Sequence, residues 1–373
     1  MKKVLFLTNV PSPYRVCFFN ELGKECNLTV LFELNNSSER NTLWQEFKAE
    51  NYEAIFLKGK RTDVDKAKCR EVKKYLVKKW DVIIIGGYSS PTQQIAIRYL
   101  KRKRISFILN SDGGIIPKKE FFLKKWYKRW IIKKASMYIT TGEASVRQLA
   151  YYGANLQNIF VYPFTSVYEN DIIDLDLVDK IELKRKLGIV EDLTVVSVGS
   201  FIHRKGMDVV IKAAEQLKDK NIGFYIIGGE PNEELLSLKG NNEKIHFVSH
   251  IFKAELMDYY KASDIFTLMT RYEIWGLVIN EALASGLPII TTDMCNAGLE
   301  MIRNNENGYV IPVDNISILV QQIEETIFDT EKLSKLQQNA IGVAKHYTYE
   351  KMVSRHLEIF EEFVFNKKQP NKK

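Results

Sequence analysis

The chain has 373 residues, 45% hydrophobic and 27% charged, an ordinary globular composition in a length that suits two cores better than one. Its four cysteines, Cys17, Cys26, Cys69 and Cys295, are scattered without a C-x-x-C pair, which argues against a disulfide framework or a zinc site and fits a reducing cytosol. The net charge of +8 hides an asymmetry: residues 1–165 carry 30 Lys+Arg against 14 Asp+Glu, or +16, and the remainder 24 against 32, or −8. A basic half can face nucleic acid, anionic lipid or an acidic substrate, and charge alone does not choose.

The first apolar run, Val4 to Leu7, is too short for a signal peptide, and no run of eighteen apolar residues follows to span a bilayer. A soluble or peripheral protein is expected. Strands are predicted at 4–8, 28–32, 54–57, 82–85, 105–109 and 137–139, alternating with helices through Phe18, Phe19 and Leu22 and at 64–79, 92–101, 120–134 and 143–151. Such alternation means a parallel sheet with helices on both faces. The rhythm breaks between Tyr162 and Leu193, where an acidic run and a short helix at 181–187 intervene. A second alternating series follows: strand 194–198, helix 206–218, strands 223–227 and 245–248, helix 254–261, strand 265–268, a helix opened by Gly276 and a strand at 288–292. The expected organisation is an amino-terminal domain over 1–165, a second domain over 166–345, and a closing segment over 346–373 that ends in a disordered tail from Lys367. Both domains should be doubly wound and Rossmann-like, facing across a cleft with the site outside the carboxyl ends of the strands.

Four stretches could carry chemistry. A helix start exposes unpaired N–H groups and the positive end of its dipole, so Gly276, Leu277 and Val278 suit an anion, with phosphate the natural one; an ordinary strand-helix-strand unit with solvated carboxylates is the alternative. Gly199-Ser200-Phe201-Ile202-His203-Arg204-Lys205-Gly206 runs from a strand into a helix, and its Arg204 and Lys205 can hold a phosphate through paired hydrogen bonds and as a point charge. Asp112, in Asn110-Ser111-Asp112-Gly113-Gly114, stands after a strand, where it could act as a base, as an orienting acceptor, or only as a turn residue. Finally, residues 118–134 hold eight basic residues and one acid around an aromatic stripe of Phe122, Trp126 and Trp130, which suits either a helix lying on anionic lipid or a core-facing stripe with a solvated basic face. Asp63-Val64-Asp65 and Asp174-Leu175-Asp176 look superficially like metal-binding D-x-D pairs, but the first reads as a helix start and the second as linker, so no catalytic metal is expected.

Glu273 and Glu281, seven residues apart and followed by Ala282-Leu283-Ala284-Ser285-Gly286-Leu287-Pro288, resemble the E-x7-E signature of retaining glycosyltransferases of family four. With the loop at 199–206 upstream, the resemblance covers residues 194–312, and the amino-terminal half matches in architecture. It implies a GT-B-like fold in which Lys205 grips the donor diphosphate, Glu273 contacts the donor sugar and Glu281 accepts hydrogen bonds from the nucleotide ribose. The chain departs from the pattern in having Ser200 where relatives often carry an arginine, for which Arg204 could compensate, and Ile274 where they often carry glycine. Many relatives also place a histidine near Asp112, whereas all five histidines here lie in the second half. The implied function is a cytoplasmic or peripheral hexosyltransferase that moves a sugar with retention from a UDP-sugar, favoured over a GDP-sugar, to a lipid-linked or oligosaccharide acceptor in surface-polysaccharide synthesis. Its catalytic set would be Glu273, Lys205 and Asp112, with no cofactor beyond the nucleotide-sugar co-substrate. The alternatives are a nucleotide-sugar epimerase on the same fold, a basic nucleic-acid-binding protein, for which no binding module is visible, and a dinucleotide oxidoreductase, which would need a G-x-G-x-x-G after the first strand.

Overall fold

The structure is a computed structural model describing residues 1–36, 48–117 and 119–368. It divides into two units, Met1–Thr165 with Tyr349–Lys373, and Ser166–Thr348. The first unit runs β1 (Lys3–Thr8), α1 (Pro13–Glu25), β2 (Asn27–Phe32), β3 (Glu53–Phe56), β4 (Lys60–Asp63), β5 (Lys66–Lys68), α2 (Val72–Leu76), β6 (Val82–Ile85), α3 (Pro91–Arg102), β7 (Ile108–Ser111), α4 (Phe122–Ile132), β8 (Met137–Thr140), α5 (Glu143–Tyr151) and β9 (Ile159–Val161). Seven of its strands form one parallel sheet in the order β3-β2-β1-β6-β7-β8-β9. Burial on both faces explains the unbroken apolar run of β6, all four of whose residues are buried.

The second unit runs α6 (Lys180–Leu187), β10 (Leu193–Val198), α7 (Met207–Gln216), β11 (Ile222–Ile227), α8 (Glu233–Lys239), β12 (Ile245–Val248), α9 (Lys253–Ala262), β13 (Ile265–Leu268), α10 (Leu277–Ala284), β14 (Ile289–Thr292), α11 (Asn296–Met301), β15 (Gly308–Ile311), α12 (Ile316–Ile327) and α13 (Thr330–Ala344). Its six strands are parallel in the order β12-β11-β10-β13-β14-β15. The last helix, α14 (Tyr349–Lys368), belongs to the first unit, where its His356 ring packs 4.7 Å from Phe18 of α1. Each unit is therefore a Rossmann-like α/β layer with its own core, around Leu5, Ile85, Leu100 and Leu109 in the first and Val195, Ile226, Ile265 and Leu319 in the second. Burying side chains of this size contributes roughly 1.5–3 kcal/mol each.

Several local expectations differ from the structure. The helix predicted over 64–79 is instead an antiparallel hairpin of β4 and β5 followed by the short α2. Ala67 and Cys69 are fully buried while Lys68 between them is exposed, a period of two that the surrounding lysines mask. Asp63-Val64-Asp65, expected at a helix start, is the hairpin turn, where Asp63 accepts a hydrogen bond from the Val64 N–H and pairs with Lys66. The strand expected at 105–109 begins only at Ile108, because Arg104 takes a left-handed conformation (φ 56°) and Ile105 N–H closes back on Leu100 O to end α3. The tail expected from Lys367 is helical through Lys368, and residues 369–373, like Lys118, lie outside the described residues.

One buried charge ties the hairpin to the sheet. Glu33, just after β2 and 1% exposed, accepts the Ser90 hydroxyl proton at 2.5 Å and the Ala67 N–H at 3.1 Å. Burial pushes its carboxyl up to about 7, above the ordinary 4.5. A folded-state pKa above the unfolded one contributes stability at low pH that is lost as pH rises through about 7. Glu33→Gln can keep the Ala67 bond through its oxygen and replace the Ser90 bond with one of reversed direction, its amide donating to the Ser90 oxygen. We expect the variant to match the parent near pH 4 and to exceed it at pH 8 by roughly 2–3 kcal/mol in urea unfolding. Equal stabilities at pH 8 would mean that Glu33 ionises without penalty.

Candidate active site

The topology brings two loops together before any side chain is considered. In the second sheet β10 pairs directly with β13, Val195 opposite Ile265 and Ser197 opposite Thr267, although 70 residues separate them in the chain. This is the point where strand order reverses, from β11 on one side to β14 on the other, and in open parallel sheets ligands bind outside the carboxyl ends of strands at such a point. Both loops of interest, 199–206 after β10 and 269–276 after β13, leave from it.

Their side chains meet. Lys205 Nζ donates to Glu273 Oε2 at 2.5 Å and Arg204 Nη1 to the same oxygen at 2.9 Å. Arg204 also holds Tyr272 O at 2.8 Å. The Lys205 and Glu273 side chains are largely buried and Arg204 is more open, so the lysine pair is the less screened of the two. Both cations bond Glu273 Oε2, and Oε1 has no partner among the described residues. A group with a free carboxylate oxygen, two cations and an adjacent helix opening can recognise a hydroxyl and an anion side by side.

The loop carrying the cations is fixed by Arg271. Its guanidinium grips Asp208 of α7 with both terminal nitrogens, at 2.9 and 2.8 Å, reaches Asp314 at 2.8 Å, and donates to His203 O at 2.5 Å. The Arg271 N–H and the Thr270 hydroxyl both bond Arg204 O. The hydrogen bond with Asp208, working against burial and joined by Asp314, raises the Arg271 pKa. Burial opposes the charge on Asp208, yet Arg271 and Lys212 hold its carboxyl below the usual range. Glu273 is pinned in turn: its N–H bonds Met294 O, and the neighbouring Ile274 carbonyl accepts Asn296 Nδ2 at 2.6 Å. Ile274, which stands where glycine was the commoner residue, points its side chain outward, 49% exposed, so its bulk is accommodated in solvent.

Glu281, the fifth residue of α10 and about one turn along it, takes a separate position. Its Oε1 accepts the Ser166 hydroxyl at 2.8 Å and its Oε2 the Tyr260 hydroxyl at 3.4 Å. Burial raises its pKa, which Ser166 and Lys253 partly offset. Gly276, Leu277 and Val278 open α10 between the two glutamates, with the Leu277 and Val278 N–H groups in its first turn. Among the described residues no group of three or more His, Cys, Asp or Glu is arranged to hold a metal. Sequence reasoning missed Ser166, Tyr260 and Arg271. Of these only Arg271, a charge three residues past the end of buried β13, left a readable trace.

Asp112 belongs to the first unit and has a network of its own. It follows β7, and its Oδ1 accepts from Arg15 Nη2, from Asn110 Nδ2 at 2.7 Å, and from a Tyr162 hydroxyl shared with Asn110 Oδ1 at 3.1 Å. His356 of α14 lies over the Tyr162 ring at 4.5 Å. A histidine from the far end of the sequence thus does reach this unit. It is wholly buried, its Nδ1 is 2.7 Å from Met352 O, and burial pushes its pKa down to about 4, so it is a neutral core residue.

Residues 179–343 match the family described as glycosyl transferases group 1. The second unit thus carries a glycosyltransferase group 1 domain, and both of its candidate loops fall inside the matched span. An uncharacterized glycosyltransferase of Haemophilus influenzae is 25% identical over 293 residues, covering 75% of this chain and 82% of its own. The crystal structure of Anabaena Alr3699/HepE in complex with UDP superposes with a TM-score of 0.76 at 16% identity, over 96% of this chain and 100% of that one. WaaG, a glycosyltransferase involved in lipopolysaccharide biosynthesis, superposes with a TM-score of 0.67 at 15% identity, over 96% and 99%. At such identities these structures speak for the fold, which is GT-B: two Rossmann-like α/β sheets.

Proposed function

We propose that the protein is a family-four, retaining hexosyltransferase that moves a sugar from a nucleotide-sugar, UDP-linked in preference to GDP-linked, to a lipid-linked or oligosaccharide acceptor in surface-polysaccharide synthesis. The observation that carries this reading is the junction of Lys205 and Arg204 on one oxygen of Glu273, beside the opening of α10. Breaking the glycosyl bond builds negative charge on the departing diphosphate, and preset cations and helix N–H groups stabilise it without a metal. The free Oε1 of Glu273 suits a donor-sugar hydroxyl, and Glu281 suits the ribose, taking its hydroxyls in place of Ser166 and Tyr260. The bound UDP of the Anabaena structure supports the choice of donor base, and the role of WaaG supports the choice of pathway. The test is a thermal-shift panel of UDP, GDP, ADP and their sugars, since a ligand at a hundred times its Kd adds about 2.7 kcal/mol to the folded state. A melting temperature unmoved by every nucleotide would sink the proposal.

The acceptor side is argued from α4. Phe122 is 75% and Trp126 57% exposed, while Ile131 and Ile132 at the end of the helix are buried, which supports the lipid-facing reading over the core-facing one. Lys134 stands 3.7 Å over the Trp130 ring, and burial, with smaller contributions from Lys101 and Arg98, lowers its pKa. No helix among the described residues is long and apolar enough to cross a membrane. An exposed aromatic row beside lysines suits peripheral attachment to anionic lipid, which would place the enzyme at the inner face of the cell membrane. Reversing Lys124, Lys125 and Arg129 to glutamate should weaken sedimentation with phosphatidylglycerol vesicles by roughly a hundredfold or more, at about 1 kcal/mol per charge. Lys128 is spared because it pairs with the largely buried Glu120 at 2.5 Å. Nucleotide binding should be unchanged, and vesicle binding that survives the reversal would rule out this face.

A further inference from the structure

Arg15 is an expensive residue. It lies in the first turn of α1, where the helix dipole disfavours a cation, and is 2% exposed among the rings of Phe6, Tyr14 and Phe164, each 5.5–5.8 Å from its guanidinium carbon. Burial works against its charge, yet Asp112 with Tyr162 and Tyr14 holds its pKa above the ordinary value. Among the described residues its one ionic partner is Asp112, and its buried Nη1 has no hydrogen bond. A fold seeking stability alone would be served as well by an apolar residue here, because a buried ion pair seldom outweighs its desolvation.

The arrangement at Asp112 suggests what is gained. Oδ1 receives every donor the network offers, from Arg15, Asn110 and Tyr162, while Oδ2 has no partner among the described residues and the side chain is 31% exposed. The carboxylate is clamped at one oxygen and open at the other. We infer that Arg15 is a positioning residue that fixes Asp112 so that its unpartnered Oδ2 takes a hydroxyl of the saccharide acceptor; this rests on the glycosyltransferase reading above. The clamp extends to α14, whose His356 packs on Tyr162, so the aim of Asp112 depends on a helix some 240 residues further along the chain.

The experiment compares Arg15→Met, Asp112→Asn and the double variant in a transfer assay, with donor KM, nucleotide binding and melting temperature followed in parallel. Arg15→Met should lose turnover on the order of a hundredfold, as misplacement of a reacting group does, with donor KM within about twofold of the parent. If Arg15 acts only through Asp112, the double variant turns over as Asp112→Asn does. That comparison stands even if Arg15→Met alone fails to fold, because the double variant buries no lone charge. Turnover of Arg15→Met at the parent rate, or a double variant markedly slower than Asp112→Asn, overturns the inference. A parent that turns over no nucleotide-sugar fails the underlying reading instead, and this inference falls with it.

Discussion

Lys205→Ala should turn over two to three powers of ten more slowly than the parent at saturating donor, a loss of roughly 3–4 kcal/mol of transition-state stabilisation. The lysine is the less exposed of the two cations on Glu273 and approaches it more closely, at 2.5 Å against 2.9 Å for Arg204. Its charge is met by Glu273. On the proposed reading a donor diphosphate would bring more negative charge than one carboxylate, and still more as the bond breaks, so the lysine would interact most strongly at the transition state. The loss should therefore appear in kcat rather than in donor affinity. Arg204→Ala, removing a more exposed charge that is also tied to Tyr272 O, should show a smaller loss of the same kind. Steady-state kinetics with a saturating sugar nucleotide decide the matter: a parent-like kcat for Lys205→Ala would move the diphosphate away from this loop.

Gly206→Ala should be as damaging by a different route. Gly206 ends the turn that carries Arg204 and Lys205, at φ 69°, and a Cβ built on it would lie 1.9 Å from Met269 O. The left-handed conformation costs an alanine about 1–2 kcal/mol, and the overlap, with backbone on both sides, can be relieved only by moving the turn away from β13. That movement would pull against the Arg271 bonds to His203 O and Arg204 O and carry Lys205 from Glu273. We expect unfolding free energy to fall by about 3 kcal/mol or more, and turnover to fall with it at temperatures where the variant is folded. Gly188 supplies the control: its φ is 68° but nothing lies within 4 Å of a built Cβ, so Gly188→Ala should cost only about 1 kcal/mol and leave kinetics alone. Equal effects from the two substitutions would mean that conformation, and not the contact with Met269, dominates.

Much of the α/β framework is legible in the sequence, because its signals are local. A strand buried on both faces must be apolar throughout, as at Val82 to Ile85, and a helix on a sheet must repeat its apolar residues every three or four positions. The sequence also carries the spacing from Glu273 to Glu281 and the turn with Arg204 and Lys205. Where local signals conflicted, it misled: lysines around Ala67 and Cys69 read as a helix because a strand of three residues offers too few alternations to outweigh them.

What the tertiary structure alone decided is which distant groups become partners. Periodicity does not state which strands pair, and it is the pairing of β10 with β13 that puts Lys205 against Glu273. Nor does it state which face of α4 is covered, and the stripe of Phe122 and Trp126 proved to be open. Arg15, Asp112, Tyr162 and His356 are spread across most of the chain and share no motif, yet they form one buried network. Each looks ordinary in its own segment. A buried charge is tolerated only where several other segments converge to pay its desolvation, and that convergence is a property of the folded chain rather than of any stretch of it.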